Sequence, residues 1–505
     1  LNQVLSYHIE ICVQYAVKKG LCEKADQYML RNRLMELFHT TQPYDGTVES
    51  VPENIGETLS ILCDYAAEQG LLEMNTATYR ELLDNCITGA MLMPPSQVQQ
   101  KFAQKYTQSP KAATDWFYTL CRDCNYIRTN EIARNVIYPY ESKYSTFEIT
   151  INLTKPEKDP REIERQKSLP QTGYPKCPLC LENVGYAGRL GWSPRQVLRT
   201  IPLTLAGENW NLQYSPYVYY NEHCIVLSSE HKPMTLNETS FVRMFDFLEQ
   251  FPHYFIGSNA PLPIVGGSIL SHEHYQGGSY TMPMEKARSL FPIKNSEFKN
   301  VHGNVLSWPM TALRFSSNNR YTLTKLAMTL MQAWKGYSDP SCDILCRTDE
   351  IAHNAVTPIA RINSGGEFEL DLVLRNNRTS AEHPLGIFHP HADKHHIKKE
   401  NIGLIEVMGL FILPGRLKPE LEEMSKLLCN NSPIPEKLSV HAPWLESLRS
   451  KYPMQANEIL AMELLKDEVG KVCAGVLQDA GVYKENEAGR AGLLRFLATC
   501  GFETV

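Results

Sequence analysis

No stretch of this chain approaches the roughly 20 consecutive apolar residues that a membrane-spanning helix needs. The run at Val407–Leu413 is far too short. A strong charge of either sign is missing too: the balance is −6, which leaves no footprint for nucleic acid or a membrane surface. The N-terminus, Leu1-Asn2-Gln3, lacks the basic region, apolar core and cleavage site of a signal peptide. A disulfide framework is absent as well, because fourteen cysteines are scattered through 505 residues, the usage of a reducing cytoplasm. The expectation is a cytoplasmic protein with neither nucleic acid nor membrane among its partners.

What is there is ordinary for a globular enzyme-sized chain. Charged residues make up 21% and hydrophobic residues 43%. The length allows two to four domains and a sizeable core. Residues 1 to about 140 read as helical: Ile9, Val13, Ala16 and Val17 recur at helical spacing, and Ala25 through Phe38 repeats the pattern. Turn signals at Pro43–Gly46, Pro94-Pro95 and Ser109-Pro110 divide the region into short helices. Cys121-Arg122-Asp123-Cys124 has the spacing of a metal knuckle. It continues an amphipathic helix, however, with no glycine or proline turn and no histidine nearby, so it reads as core or surface cysteines.

The pattern then changes. Phe147-Glu148-Ile149-Thr150-Ile151-Asn152-Leu153 alternates like a strand and runs into a proline-bounded polar loop carrying Lys155 and Lys158. Lysines three apart in a loop are usually just solvated. A second Cys-x-x-Cys follows, Cys177-Pro178-Leu179-Cys180, and here glycine and prolines favour a turn that lets both thiolates face one metal. It is half of a zinc site, two ligands short. Tyr214 to His231 and then Leu236 to Phe251 read as strand, turn and helix.

The densest chemistry lies in Gly266-Gly267-Ser268-Ile269-Leu270-Ser271-His272-Glu273-His274-Tyr275-Gln276-Gly277-Gly278. On an extended strand His272, His274 and Gln276 share one face, with Glu273 and Tyr275 on the other. Glycines at both ends let backbone N–H groups approach an anion closely. The spacing alone allows a nucleophilic imidazole beside a phosphate, a His-x-His metal pair, or two surface histidines in a turn.

His-Glu-His-Tyr-Gln-Gly-Gly resembles the active-site strand of the histidine triad superfamily, in the transferase branch that carries Gln in place of a third His. With the motifs above, the chain resembles the galactose-1-phosphate uridylyltransferase family (UDP-glucose–hexose-1-phosphate uridylyltransferases), in its longer bacterial type. The resemblance covers nearly the whole chain and is specific from about residue 145 to 415. It implies an α+β fold of two tandem histidine-triad-like antiparallel sheets with helices, preceded by a helical N-terminal region. The implied divisions are 1–145 for that region, 146–290 for the first such domain with knuckle and catalytic strand, and 291–505 for the second with a helical extension.

The implied site follows residue by residue. Zinc is structural, closed by Cys177, Cys180, His231 and His272. His274 is the nucleophile, forming a uridylyl-histidine from UDP-glucose that galactose 1-phosphate discharges as UDP-galactose. Gln276 holds a phosphoryl oxygen, and a backbone carbonyl such as that of residue 272 orients the other ring nitrogen. Asn183, Asn259, Gly266, Gly267, Ser268, Lys155 and Lys158 contact the nucleotide and phosphates, and Glu406 contacts hexose hydroxyls. His389 and His391 resemble the second metal site of the family, with Glu285 and His383 as further candidates. Family members are dimers with shared sites, which implies a homodimer. Two alternatives stand beside this: a histidine triad hydrolase or a dinucleotide or nucleotide-sugar phosphorylase, and a zinc-stabilised binding protein without catalysis.

Overall fold

The computed structural model describes residues 2–154, 173–267, 269–430 and 432–505, so Lys155, Lys158 and Ser268 lie outside the described residues. The chain is α+β with antiparallel sheets and a helical N-terminal region. It opens with α1 (Asn2–Lys18), α2 (Gln27–Leu37), α3 (Gly56–Glu68), α4 (Ala77–Met91), α5 (Pro95–Tyr106), α6 (Pro110–Asp123) and the single turn α7 (Thr129–Ile132). Strands β1 (Val136–Glu141), β2 (Thr146–Asn152), β3 (Ile201–Leu205), β4 (Glu208–Tyr214) and β5 (Cys224–Ser228) follow. Next come α8 (Glu238–Gln250), β6 (Phe255–Gly257) and β7 (His274–Gly278). Beyond them lie β8 (Ser289–Asn295), β9 (His302–Leu306), β10 (Ala312–Ser317), α9 (Arg320–Gly336), β11 (Arg347–Thr348), β12 (Ile351–Ala352), β13 (Asn354–Ile362) and β14 (Phe368–Asn376). The chain closes with α10 (Leu404–Val407), β15 (Leu410–Pro414), α11 (Leu417–Asn430), α12 (Ala442–Lys451), α13 (Glu458–Ala480), α14 (Glu487–Thr499) and β16 (Phe502–Thr504). No helix among the described residues is long and apolar enough to cross a membrane.

Two compact units divide the chain. The first comprises Leu1–Arg134, Thr154–Val218 and Glu222–Lys232, and the second Asn135–Leu153, Tyr219–Asn221 and Pro233–Val505. In the first, α6 shows how the helical region meets strands. Ser109 caps it by accepting from the Ala112 amide at 3.0 Å, Pro110 takes the first position, and Ala113, Phe117, Leu120 and Cys121 form one buried stripe. Tyr214 of β4 packs on that stripe, its ring 5.2 Å from Phe117, and donates its hydroxyl to the Thr114 carbonyl at 3.1 Å. Cys121 and Cys124 are both buried, and burial pushes both thiols up, Cys124 to about 12. They are core cysteines.

In the second unit β2 sits between β1, antiparallel, and β15, parallel. The helical reading runs a few residues too far, because β1 begins at Val136. Its residues Val136-Ile137-Tyr138 favour a strand, and Pro139 is tolerated because β1 is an edge. Phe147, Ile149 and Ile151 of β2 turn into a core shared with Phe411, Leu413, Leu465, Val469 and Val476. Each such side chain contributes roughly 1.5–3 kcal/mol by leaving water. A longer sheet runs β16-β8-β9-β10-β14-β13-β6-β7, so β6 and β7 from the first half of the sequence pair onward into strands of the second. Helix α8 packs against β6 and β13, and α9 against β13, β10 and β14.

The C-terminal helices enclose a pair of buried histidines. His396 Nδ1 and His441 Nδ1 lie 3.0 Å apart, so one nitrogen carries the hydrogen and the other the lone pair. His441 Nε2 meets Glu420 at 3.0 Å, and Arg416 meets the same carboxylate at 2.7 Å. Burial first, then the His441 and Arg416 charges, hold His396 down at about 4, while burial also lowers His441. Unfolded chains take up protons near pH 6.5 that this pair refuses, so its stability contribution is full above that pH and falls as pH drops toward 4. At pH 5 the loss from His396 is about 2 kcal/mol. Denaturation midpoints measured at pH 7 and pH 5 should show that difference, and His396→Phe should remove most of it.

Candidate functional site

The knuckle is built within the first unit. The Cys180 amide donates to the Cys177 carbonyl at 3.2 Å, closing the turn. Their sulfurs are 3.5 Å apart, and Cys180 Sγ lies 3.2 Å from His231 Nδ1, just beyond the end of β5. A disulfide would bring the sulfurs to about 2.0 Å. Tetrahedral zinc holds two sulfurs about 3.7 Å apart, from its Zn–S distance of about 2.3 Å. The observed separation therefore suits ligands of one ion. Burial and then the neighbouring Cys177 sulfur push the Cys180 thiol up to about 11. Cys177, Cys180 and His231 thus form a cluster that could hold a metal ion.

Asn183 is fully engaged in this turn. Its Nδ2 donates to the carbonyls of Cys177 and Cys180, both at 2.8 Å, and its Oδ1 accepts from Trp192 Nε1 at 3.1 Å. Both amide hydrogens are spent on the knuckle, leaving one lone pair on Oδ1.

The histidine-bearing strand lies in the second unit. β7 begins at His274, so His272 precedes the strand rather than lying within it. His274 is buried, and its Nδ1 is 2.8 Å from the His272 carbonyl oxygen. A carbonyl only accepts, so Nδ1 carries the hydrogen and Nε2 keeps the lone pair. Burial lowers the pKa of His274, against the opposing pull of that carbonyl, and keeps the ring neutral. Gln276 pairs with Gly257 of β6, and its Oε1 is buried with no hydrogen-bond partner among the described residues.

On the opposite face, Glu273 and Tyr275 meet α8. Arg243 Nη1 donates to Glu273 Oε1 at 2.7 Å and lies 3.5 Å from the Tyr275 hydroxyl, while Thr235 Oγ1 donates to the same Glu273 oxygen at 3.2 Å. The strand parity read from sequence holds for residues 273 to 276.

Beyond β6 the chain reaches Asn259, whose Oδ1 accepts from the Leu404 amide at 2.9 Å. Gly266 and Gly267 close that loop tightly. A Cβ at Gly266 would meet the carbonyls of Ala260 and Leu262 at 2.5 Å, and one at Gly267 would meet Asn259 Nδ2 at 2.6 Å. Glu406 lies near the same corner: Oε2 accepts from the Gly403 amide at 3.2 Å and Oε1 from Lys398 at 3.0 Å, so it caps α10.

Two features escaped sequence reasoning. Arg375 is fully buried, donating to Ile402 O at 2.9 Å and to Thr357 Oγ1 at 3.3 Å, with Nε unpaired, and burial lowers it to about 10. Asp371, also buried, receives Arg314 through both oxygens at 2.7 and 2.9 Å and Arg361 at 3.0 Å. Pairing carries one face from Gln276 through Gly257 and Ile359 to Asp371, and through Ala355 to Arg375. Charged residues four apart in the apolar strand Leu370-Asp371-Leu372-Val373-Leu374-Arg375 were the available signal.

The expected second metal centre is not assembled. His389 lies between Pro390 O at 3.3 Å and Asn401 Oδ1 at 3.4 Å. His391 bonds Ile387 O at 3.0 Å, and its ring stacks on His383 at 4.1 Å. Glu285 sits 3.9 Å from Arg361, with its pKa raised by burial. Among the described residues these four form no converging donor group. The loop spends its imidazoles on backbone carbonyls and on the side chains of Asn401 and Asp479.

The family model described as galactose-1-phosphate uridyl transferase, N-terminal domain, matches residues 20–233, and its C-terminal domain matches 247–445. A galactose-1-phosphate uridylyltransferase of Caldanaerobacter subterraneus subsp. tengcongensis is 50% identical, covering 99% of this chain and 98% of the relative. Enzymes of the same name from Fusobacterium nucleatum subsp. nucleatum and Bacillus subtilis are 46% and 43% identical. They cover 98% and 99% of this chain and 99% and 98% of their own. Among solved structures, yeast Ap4A phosphorylase Apa2 aligns over 66% of this chain and 91% of its own, at 12% identity and a TM-score of 0.32.

The packing around Gly266 makes a direct prediction. Gly266→Ala should lower stability by about 1–3 kcal/mol, since backbone carbonyls must move to admit the methyl. Gly336→Ala, at the end of α9 with nothing among the described residues within 4 Å of the added carbon, should not lower stability in the same denaturation series.

Proposed function

The chain belongs to the galactose-1-phosphate uridylyltransferase family, and on that premise we propose that it transfers the uridylyl group of UDP-glucose to galactose 1-phosphate through an adduct on His274. The products are glucose 1-phosphate and UDP-galactose. The observation that carries this reading is the 2.8 Å bond from His274 Nδ1 to the His272 carbonyl. It fixes the tautomer in which Nε2 is a neutral nucleophile.

In the first half-reaction Nε2 attacks the α-phosphorus, forming a P–N bond as the P–O bond to glucose 1-phosphate breaks. In the second, the phosphate of galactose 1-phosphate attacks the same phosphorus and the imidazole leaves with its lone pair. Both leaving groups are stable at neutral pH without a strong general acid. Gln276 suits the remaining need. Its amide has a buried end without a partner, and a half-turn about the last side-chain bond presents Nε2 there as a donor to the phosphoryl oxygen.

The binding residues are proposals of the same reading. Asn259, Gly266, Gly267 and Ser268 form the nucleotide loop, and Lys155 and Lys158 serve as point charges for phosphates without the fork of an arginine. Asn183 contributes its remaining Oδ1 lone pair, and Glu406 reaches hexose hydroxyls by exchanging a contact with Gly403 or Lys398. His272 supplies the fourth ligand of a structural zinc with Cys177, Cys180 and His231, closing a Cys2His2 set that leaves no position for substrate. Such an ion contributes folding free energy and holds the segment leading into β7. A cytoplasmic homodimer completes the proposal.

Two measurements test it. UDP-glucose alone should release about one glucose 1-phosphate per active site and leave an acid-labile, base-stable uridylyl adduct that peptide mapping places on His274. Galactose 1-phosphate should discharge that adduct as UDP-galactose, with parallel initial-rate plots, and His274→Ala should form none. Intersecting plots without an adduct would replace covalent catalysis by direct transfer. For the metal, Cys177→Ser should lose most of one zinc per chain together with thermal stability, while Cys121→Ser keeps both. Full zinc and unchanged melting in Cys177→Ser would remove the knuckle from the metal site.

A further inference from the structure

His274 is flanked in sequence by Glu273 and Tyr275, and neither faces the proposed chemistry. Both side chains meet α8. The Arg243–Glu273 pair is buried, with side-chain exposures of 5% and 2%, and the N–O distance is 2.7 Å. Thr235 adds a second hydrogen bond to the Glu273 carboxylate, and the Tyr275 hydroxyl lies 3.5 Å from the same Arg243 nitrogen. The β6 ladder pairs with Gln276, Gly277 and Gly278 of β7, and these side-chain contacts add anchorage at Glu273 and Tyr275.

A buried ion pair is costly to desolvate, and apolar residues of similar volume are often as stable or more so. Stability alone is therefore a weak reason for this one, and its position offers a better one. The carbonyl that fixes the His274 tautomer belongs to His272, and the other end of that peptide is the amide nitrogen of Glu273. Rotation of the peptide plane would swing the carbonyl away from Nδ1. The Glu273 side chain, held from two directions, resists that rotation.

We propose that Arg243 and Glu273 are positioning residues for His274: they clamp the peptide between residues 272 and 273 so that its carbonyl stays on Nδ1 and the lone pair stays on Nε2. The clamp acts through the backbone, since Glu273 lies on the face opposite the imidazole. This rests on the reading of His274 as the nucleophile.

The test separates positioning from mere stability. Single-turnover formation of the uridylyl adduct is measured with saturating UDP-glucose, well below the melting transition of each variant, alongside the UDP-glucose dissociation constant. Glu273→Ala leaves Arg243 buried without its partner, so the principal variant is the double substitution Arg243→Leu with Glu273→Leu, which removes both charges and preserves apolar packing. It should form the adduct about 100-fold more slowly, the scale of an ångström-sized misplacement of a reacting group. Its dissociation constant should stay within about threefold. Glu273→Gln, which keeps acceptors for both Arg243 and Thr235, should recover to within about tenfold of the parent rate. A folded double variant with the parent rate would overturn the proposal, as would a loss of binding equal to the loss of rate. Absence of any adduct on the unsubstituted protein would instead remove His274 as nucleophile, an outcome distinct from failure of the clamp.

Discussion

A strand has two faces, and β7 must use them for opposite purposes. His274 and Gln276 leave one face polar and incompletely partnered, whereas Glu273 and Tyr275 bind the other face to α8. Neither arrangement works alone. An imidazole held in one tautomer needs one orientation, and a strand of five residues supplies little rigidity of its own. Period-two alternation lets the same few residues place an imidazole and an amide on one face and fastenings on the other.

The same economy governs the buried charges of the second unit. Asp371 is completely enclosed, yet Arg314 and Arg361 hold its pKa below the ordinary carboxylate value against the cost of burial. Arg314 also donates to the carbonyls of Met284 and Glu285, which ties the segment after β7 to the middle of the sheet. Lys398 and Glu406 pair in similar seclusion beside Arg375. Each group has named partners, which is the condition for charge inside a core.

Much of this was legible in the chain. The strand at 147–153, the helix after Leu236, the knuckle turn and the parity of residues 273–276 each carry a local signature of turn residues or periodicity. The helix-to-strand boundary near Val136 was missed because a proline-bearing edge strand follows short helices without a break in hydrophobicity. The partners of Asn183 and Glu406 were illegible for a different reason: both amide hydrogens of Asn183 and one oxygen of Glu406 meet backbone groups, which carry no residue-type signal, and nothing in the sequence singles out Trp192 or Lys398 as their side-chain partners. At His389 and His391 the sequence likewise hides the partners, since nearby carbonyls and the side chains of Asn401 and Asp479 take up their nitrogens. Arg243 sits thirty residues from Glu273, and only folding reveals that a helix delivers it there.

Gln276 has one further consequence. Among the described residues its buried Oε1 meets no donor, and an amide oxygen left so costs on the order of 1–3 kcal/mol. Any molecule that bound only the folded chain and offered a donor there would raise the unfolding free energy by mass action, so melting would then depend on its concentration.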